Sequence, residues 1–202
     1  SIVSHDLRNP LNVVSGRLRL AEETGDLSHV VPARRATDRL CTLVEDIQAL
    51  ARRGQRVRET AREAVALADT ARVAWSGVDT GDATLDVDPV AETTVAADPE
   101  RLRALFRRLF ENVAAHAGPE ASVVVEPTPD GFAVLDDGPG FGDAATDRLL
   151  DPGYTTDEDR TGFGLAVVAA VANAHGWRVY VGERADGGAR VAIDTAGGPD
   201  PP

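Results

Sequence analysis

Apolar residues recur every three or four positions through the first fifty residues of this chain, and that spacing confines the segment to helices. Leu7, Leu11, Val14 and Leu18 stand 4, 3 and 4 apart, and Leu40, Val44, Ile47 and Ala51 repeat the interval, with Leu43 and Leu50 beside them. Such a period lays one apolar seam along each helix. Gly25-Asp26-Leu27-Ser28 breaks the pattern, and Pro32 suits the first turn of a second helix. The short break predicts an antiparallel hairpin over 1–53. One hairpin of this size buries too little surface to be stable alone. Two copies paired into a four-helix bundle would cover the seams, so a homodimer is expected. Docking on the rest of the chain is the competing solution.

Residues 54–61 are polar and read as a linker. From 62 to 195 the pattern is mixed, predicting an α+β domain. A helix is expected over 62–75, then strand-like runs at 83–88 and 93–97. Asp98-Pro99-Glu100 is a strong helix start, with Asp98 as N-cap and Pro99 in the first turn. That helix should run to about Ala117 and stop at Gly118-Pro119. Strands are expected at 122–126 and 132–135, joined by Pro129-Asp130-Gly131. Residues 138–161, rich in Gly, Asp and Thr, read as a loop around one short helix. A helix near 164–174 should end at Gly176 in a left-handed cap. Strands at 177–183 and 189–194 close the domain. Residues 196–202 form a Gly/Pro tail expected to be disordered.

Charge narrows the partners. The net charge is −12, and all 21 basic residues are arginine. An acidic surface opposes nonspecific binding to nucleic acid or anionic lipid. Lysine-free acidity fits a salt-adapted organism, and high genomic GC content would favour Arg in the same way. One cysteine, Cys41, excludes an internal disulfide and a cysteine metal site. Its helical surroundings predict a small core residue. No apolar run reaches the roughly 20 residues that span a bilayer. A soluble, cytoplasmic piece is expected. The chain lacks Met and opens inside a helical pattern, which suggests a longer protein whose upstream part could cross a membrane.

Four motifs carry chemistry. In Ser4-His5-Asp6-Leu7-Arg8-Asn9-Pro10-Leu11, His5 falls two residues off the seam, on an outward face. A neutral imidazole is a nucleophile near pH 7. Asp6 can orient the ring and take its proton. Asn9 shares the face of His5 one turn on, where its amide could position a water, and Pro10 should kink the helix. In Asn112-Val-Ala-Ala-His116, two polar side chains share a helix face. The Asn112 carbonyl oxygen suits Mg²⁺, and His116 could bond phosphate or ribose. In Asp136-Asp137-Gly138-Pro139-Gly140, a strand delivers carboxylates that can accept from an exocyclic amine, and the glycines admit a close ligand. In Thr161-Gly162-Phe163-Gly164-Leu165, glycines open a helix whose free N–H groups can hold phosphate oxygens. The last segment is neither a Lys-Ser/Thr phosphate loop nor a dinucleotide fingerprint. His29 and His175 read as structural or surface residues.

Taken in order, these motifs resemble the sensor histidine kinases of two-component systems, over about residues 1–195. The wording is similar to the halophilic archaeal branch. The resemblance implies a dimerisation and histidine-phosphotransfer hairpin over 1–53 and, over 62–195, an α/β sandwich ATP-binding domain of the histidine kinase, gyrase and Hsp90 type. It implies His5 as phosphoacceptor, Asp6 as its assisting acid and Asn9 as a residue of phosphatase activity. It implies that Asn112 binds Mg²⁺, His116 touches nucleotide and Asp136 recognises adenine. Gly138, Gly140, Thr161, Gly162, Gly164 and Leu165 would frame ATP, and residues 142–161, with Asp151–Thr156, would form a lid over it. The partner would be a response regulator. The chain departs from the family pattern at Arg108, where Asn or Glu is usual, and at Ala115, where Lys is common. A nucleotide-binding module with little kinase activity and a gyrase- or chaperone-type ATPase are the competing functions.

Overall fold

The computed structural model describes residues 2–51, 56–142, 148–155 and 162–196, with backbone alone for 2–6. Helix α1 (Ile2–Thr24) and helix α2 (Val30–Ala51) form the hairpin. Asp26 caps the connecting turn, its side chain accepting from Ser28 N–H at 2.8 Å. The inward face of α2 carries Ala33, Ala36, Leu43 and Asp46, all buried. The seam therefore passes through Leu43 rather than Val44, which is 44% exposed. A one-residue offset turns a helix by about 100°, so Val44 and Ala51 point away from α1. Cys41 is exposed, not in a core as expected. Pro10 is buried, and α1 continues through it.

The remainder is a sandwich of helices on a sheet. Strand β1 (Glu63–Ala66) leads into helix α3 (Leu67–Trp75). The helix expected over 62–75 is thus a strand in its first third. Glu63–Ala66 pairs antiparallel with β3 (Thr94–Ala97), a long-range partner that local pattern does not reveal. The main sheet has the order β2 (Thr84–Asp86), β4 (Ser122–Thr128), β5 (Gly131–Asp136), β7 (Ala189–Asp194), β6 (Arg178–Glu183). Only β2–β4 is parallel among these pairs. Helices α4 (Pro99–His116) and α5 (Gly164–His175) cover one face together with α3. Val123, Val125, Phe132, Val134, Val191 and Ile193 meet Leu102, Phe106, Phe110, Val168 and Val171 in one core. Phe106 bridges the layers, 5.8 Å from Phe110 and 5.3 Å from Phe132 between ring centroids.

Three local devices fix the helices that build the cleft. Asp98 accepts from the N–H groups of Glu100 and Arg101 at 3.1 Å, with Pro99 in the first turn of α4. Gly176 ends α5 at φ 79°, a left-handed conformation that glycine adopts without penalty. His175 ties the two helices together: its Nε2 accepts from Asp98 N–H at 3.0 Å, and its Nδ1 lies 2.8 Å from the Val171 carbonyl. Burial lowers its pKa, in keeping with a neutral ring that donates from Nδ1.

The linker is anchored, not free. Val57 is buried and its N–H donates to the Ala174 carbonyl at 2.7 Å, while Arg62 donates to the His175 carbonyl at 2.7 Å. The hairpin also docks on the second half, with Ala49 and Leu50 packed against its core. Both solutions to its stability are therefore open to it. Leu11, Leu18, Leu20 and Val44 remain exposed.

Candidate functional site

A cleft of about 270 Å³ opens between α4, α5 and the end of β5, and α2 closes one side of it. Its apolar wall is Val113, Val134, Phe141, Leu149, Leu165 and Val191. Its polar groups sit at two ends. This is the form of a small-molecule site: a mostly apolar slot with a few placed polar atoms.

Asp136 lies at one end. Oδ1 accepts from Gly138 N–H at 3.0 Å and from Ala189 N–H at 3.3 Å. Those bonds fix the carboxylate and leave Oδ2 for a donor in the cleft. The neighbouring acid is used otherwise. Asp137 is exposed and accepts from Ser122 N–H at 2.7 Å, holding the start of β4. Strand alternation separates the two, since successive side chains leave opposite faces. Close packing supports Asp136 from below. A Cβ on Gly188 would stand 2.0 Å from the Asp136 carbonyl oxygen, and Arg184 Nη1 donates to that oxygen at 3.3 Å.

The glycines divide into two roles. Gly140, Gly162 and Gly164 line the cleft, as does Leu165. Gly138 stands behind it, where a Cβ would meet Ala117 Cα at 2.5 Å. It lets the loop pack on the end of α4 rather than facing a ligand. Gly162 has φ 66°, and its carbonyl accepts from Gly153 N–H at 3.1 Å. Thr161 lies outside the described residues, as do 143–147 and 156–160 of the segment expected to form a lid.

Asn112 and His116 both line the cleft, one turn apart on α4, with Asn112 against the start of α5. A Cβ on Gly164 would come within 2.7 Å of Asn112 Oδ1. Absence of that carbon lets the first turn of α5, with its unpaired N–H groups, face the Asn112 amide. A hard amide oxygen beside a helix N-terminus fits a divalent cation bridged to an anion.

Two hairpin residues enter the lining that sequence reasoning did not foresee, Thr42 and Asp46. Asp46 belongs to an ion cluster joining α2 to α4. Arg108 Nη2 lies 2.8 Å from Asp46 Oδ1, and Arg108 Nη1 is 2.5 Å from Glu111 Oε2. Glu45 Oε2 is 2.5 Å from Arg107 and 3.5 Å from Arg108. Asp46 and Arg108 are buried, and Asp46 Oδ1 accepts no hydrogen bond. An acid on the inward face of a hairpin helix was the available signal. The equally regular spacing of Val44 and Ile47, one residue further along, masks it.

Burial pushes the Asp46 carboxyl up to about 6; Arg108 pulls against that, Glu111 and Glu45 add to it, and Arg107 opposes. The unfolded chain releases this proton near 3.8. Between those values the folded state holds more protons, so this group's contribution to stability falls as pH rises from about 4 to about 6 and levels off above. Thermal melts of the wild type and Asp46→Asn across that range check it. The difference between the two should change over this window and be constant at higher pH.

Asn9 is not among the described residues that line the cleft. Asn9 is exposed on α1; the side chains of His5 and Asp6 lie outside the described residues. Antiparallel pairing sets their turn of α1 beside the end of α2, the same end that carries Asp46.

The fold and the cleft have clear counterparts. Residues 1–56 match the His Kinase A (phospho-acceptor) domain, and residues 97–196 match the histidine kinase-, DNA gyrase B-, and HSP90-like ATPase family. The chain is 32% identical over 204 residues to the probable sensor histidine kinase TcrY of Mycobacterium tuberculosis, covering 88% of this chain and 41% of that protein. It is 30% identical to the sensor histidine kinase ZraS of Salmonella typhi, covering 89% of this chain and 41% of that protein. It thus spans about two fifths of these relatives. The structure aligns with the histidine kinase AdeS of Acinetobacter baumannii at TM-score 0.73 and 22% identity, over 94% of this chain and 96% of that one. It aligns with full-length ShkA, solved in complex with AMPPNP, at TM-score 0.67 and 29% identity, over 96% of this chain and 44% of that one. The relatives are bacterial, so they lend no support to a halophilic archaeal branch. Among the described residues no helix is long and apolar enough to cross a membrane.

Proposed function

This chain belongs to the sensor histidine kinases, and on that premise we propose that it binds ATP in the cleft and moves the γ-phosphoryl group to His5. The observation that carries the proposal is the two-ended cleft: a fixed carboxylate at one end, an amide oxygen facing a glycine-opened helix at the other. Asp136 Oδ2 accepts from the exocyclic amine of adenine. The apolar wall takes the base. The N–H groups opening α5 take phosphate oxygens. Asn112 would hold Mg²⁺, which supplies charge neutralisation at the phosphates when bound.

In the transfer, an imidazole nitrogen of His5 forms a P–N bond as the bond from the γ-phosphorus to its bridging oxygen breaks, and ADP leaves. Asp6 accepts the proton from the ring's other nitrogen. Positioning supplies most of the rate. The phosphoryl group then passes to an Asp of a response regulator. Leu11 and Leu18, a heptad apart and both exposed on α1, support pairing of two hairpins in a homodimer. Arg108, held by carboxylates, and Ala115 favour a second reading, a nucleotide-binding module with little kinase activity.

Incubation with γ-labelled ATP and Mg²⁺ separates the two. Acid-labile, alkali-stable label on the chain is expected. Absent label with measurable ATP binding would favour the second reading.

A further inference from the structure

We propose that Arg108 is a phosphate-binding residue held in reserve: it leaves Asp46 and turns to the terminal phosphate when nucleotide binds, which unlatches α2 from α4. The inference rests on the nucleotide reading of the cleft.

Charge balance leads to it. A triphosphate is strongly anionic, and even with one divalent cation it needs further positive charge nearby. Among the described residues lining the cleft, Arg108 carries the one guanidinium, against the carboxylates of Asp46, Glu111 and Asp136. Arg108 lies one helical turn before Asn112, so both side chains serve the same end of the cleft. A guanidinium fork suits phosphate oxygens as well as it suits a carboxylate.

Its present partners are a poor resting place. In the cluster three carboxylates, Glu45, Asp46 and Glu111, share two guanidiniums, Arg107 and Arg108. Asp46 Oδ1 is buried and lacks any hydrogen bond, although Arg108 is 2.8 Å away. A buried ion pair with an unsatisfied acceptor adds little net stability over its desolvation cost. An incoming phosphate therefore competes for Arg108 on favourable terms. Glu111 travels with Arg108 on α4, whereas Asp46 and Glu45 belong to α2. Withdrawal of Arg108 consequently cuts a bond between the two halves, while Arg107 keeps Glu45 as a weaker, more exposed tie. Loading the cleft and loosening the hairpin become one event.

Competition binding to the whole chain with a fluorescent nucleotide tests this, using ATP, ADP and adenosine as competitors. Arg108→Gln should weaken ATP by about tenfold or more, the scale of a lost charge-assisted contact, and leave adenosine unchanged. Asp46→Asn, nearly isosteric, should tighten ATP severalfold because the guanidinium is no longer contested, again without effect on adenosine. Equal loss of all three ligands in Arg108→Gln, or weaker ATP binding in Asp46→Asn, would assign the cluster a structural role only and overturn the proposal. Should Arg108→Gln fail to fold, the sign of the Asp46→Asn change decides alone. A wild type that binds none of the three would refute the nucleotide reading itself, a result distinct from ATP binding that ignores Arg108.

Discussion

Glutamine at position 5 is expected to abolish transfer of γ-phosphate label to the chain while ATP affinity stays within about twofold of wild type. Glutamine is a good helix former but offers no nucleophile at neutral pH. In the proposed mechanism His5 accepts the phosphoryl group and takes no part in holding the nucleotide, so affinity should be kept. A thermal melt of the variant controls for any loss of stability. The other histidines make the result informative. His175 is buried and committed to Asp98 and Val171. His29 is at the far turn of the hairpin, 3.5 Å from Arg17. His116 lines the cleft itself. Label surviving in His5→Gln would point to His116 as acceptor and sink the transfer from cleft to hairpin.

The second large effect is expected at Asp136. Asparagine there preserves an oxygen for the N–H groups of Gly138 and Ala189, which the structure requires. The amide nitrogen must then face the cleft, where the adenine amine also brings hydrogens. One charge-assisted bond is lost and two donors are opposed, a cost of about 2–3 kcal/mol, or about 30- to 150-fold in ATP affinity. Guanine presents an acceptor at the same place, so preference for ATP over GTP should narrow. Calorimetric titration of both nucleotides measures this. Unchanged ATP affinity would remove Asp136 from base recognition.

Much of this architecture is legible from local signals. The caps at Asp98 and Gly176 are written in single residues whose side chain or φ does the work, and they fall where the sequence places them. Strands β4 and β5 are marked by their turn residues. The failures share a cause, which is dependence on distant partners. Glu63–Ala66 continues a helical pattern, and only pairing with Thr94–Ala97 makes it a strand. Val44 and Leu43 are equally apolar; packing against α1 decides between them. At the site, Asp136, Asn112 and Gly164 could be named from motifs because each acts through its own chemistry. Asp46 and Thr42 could not, because they reach the cleft only through docking of the hairpin. Arg108 stood out as a departure, but its carboxylate partners on α2 lie more than sixty positions away in sequence.

The bond from Val57 to the Ala174 carbonyl sets a leash length. Six residue steps separate Ala51, where α2 ends, from Val57. A fully extended chain spans at most about 3.3–3.6 Å per step, so the anchor can stand no further than about 20 Å from the hairpin's end. Any swing of the ATP-binding half is confined to that radius. In a paired bundle, the choice between a copy's own His5 and its neighbour's then becomes a matter of arc and reach. Splicing a few Gly-Ser units in ahead of Val57 would enlarge the sphere and blur the choice without touching the cleft, the acceptor helix or the latch.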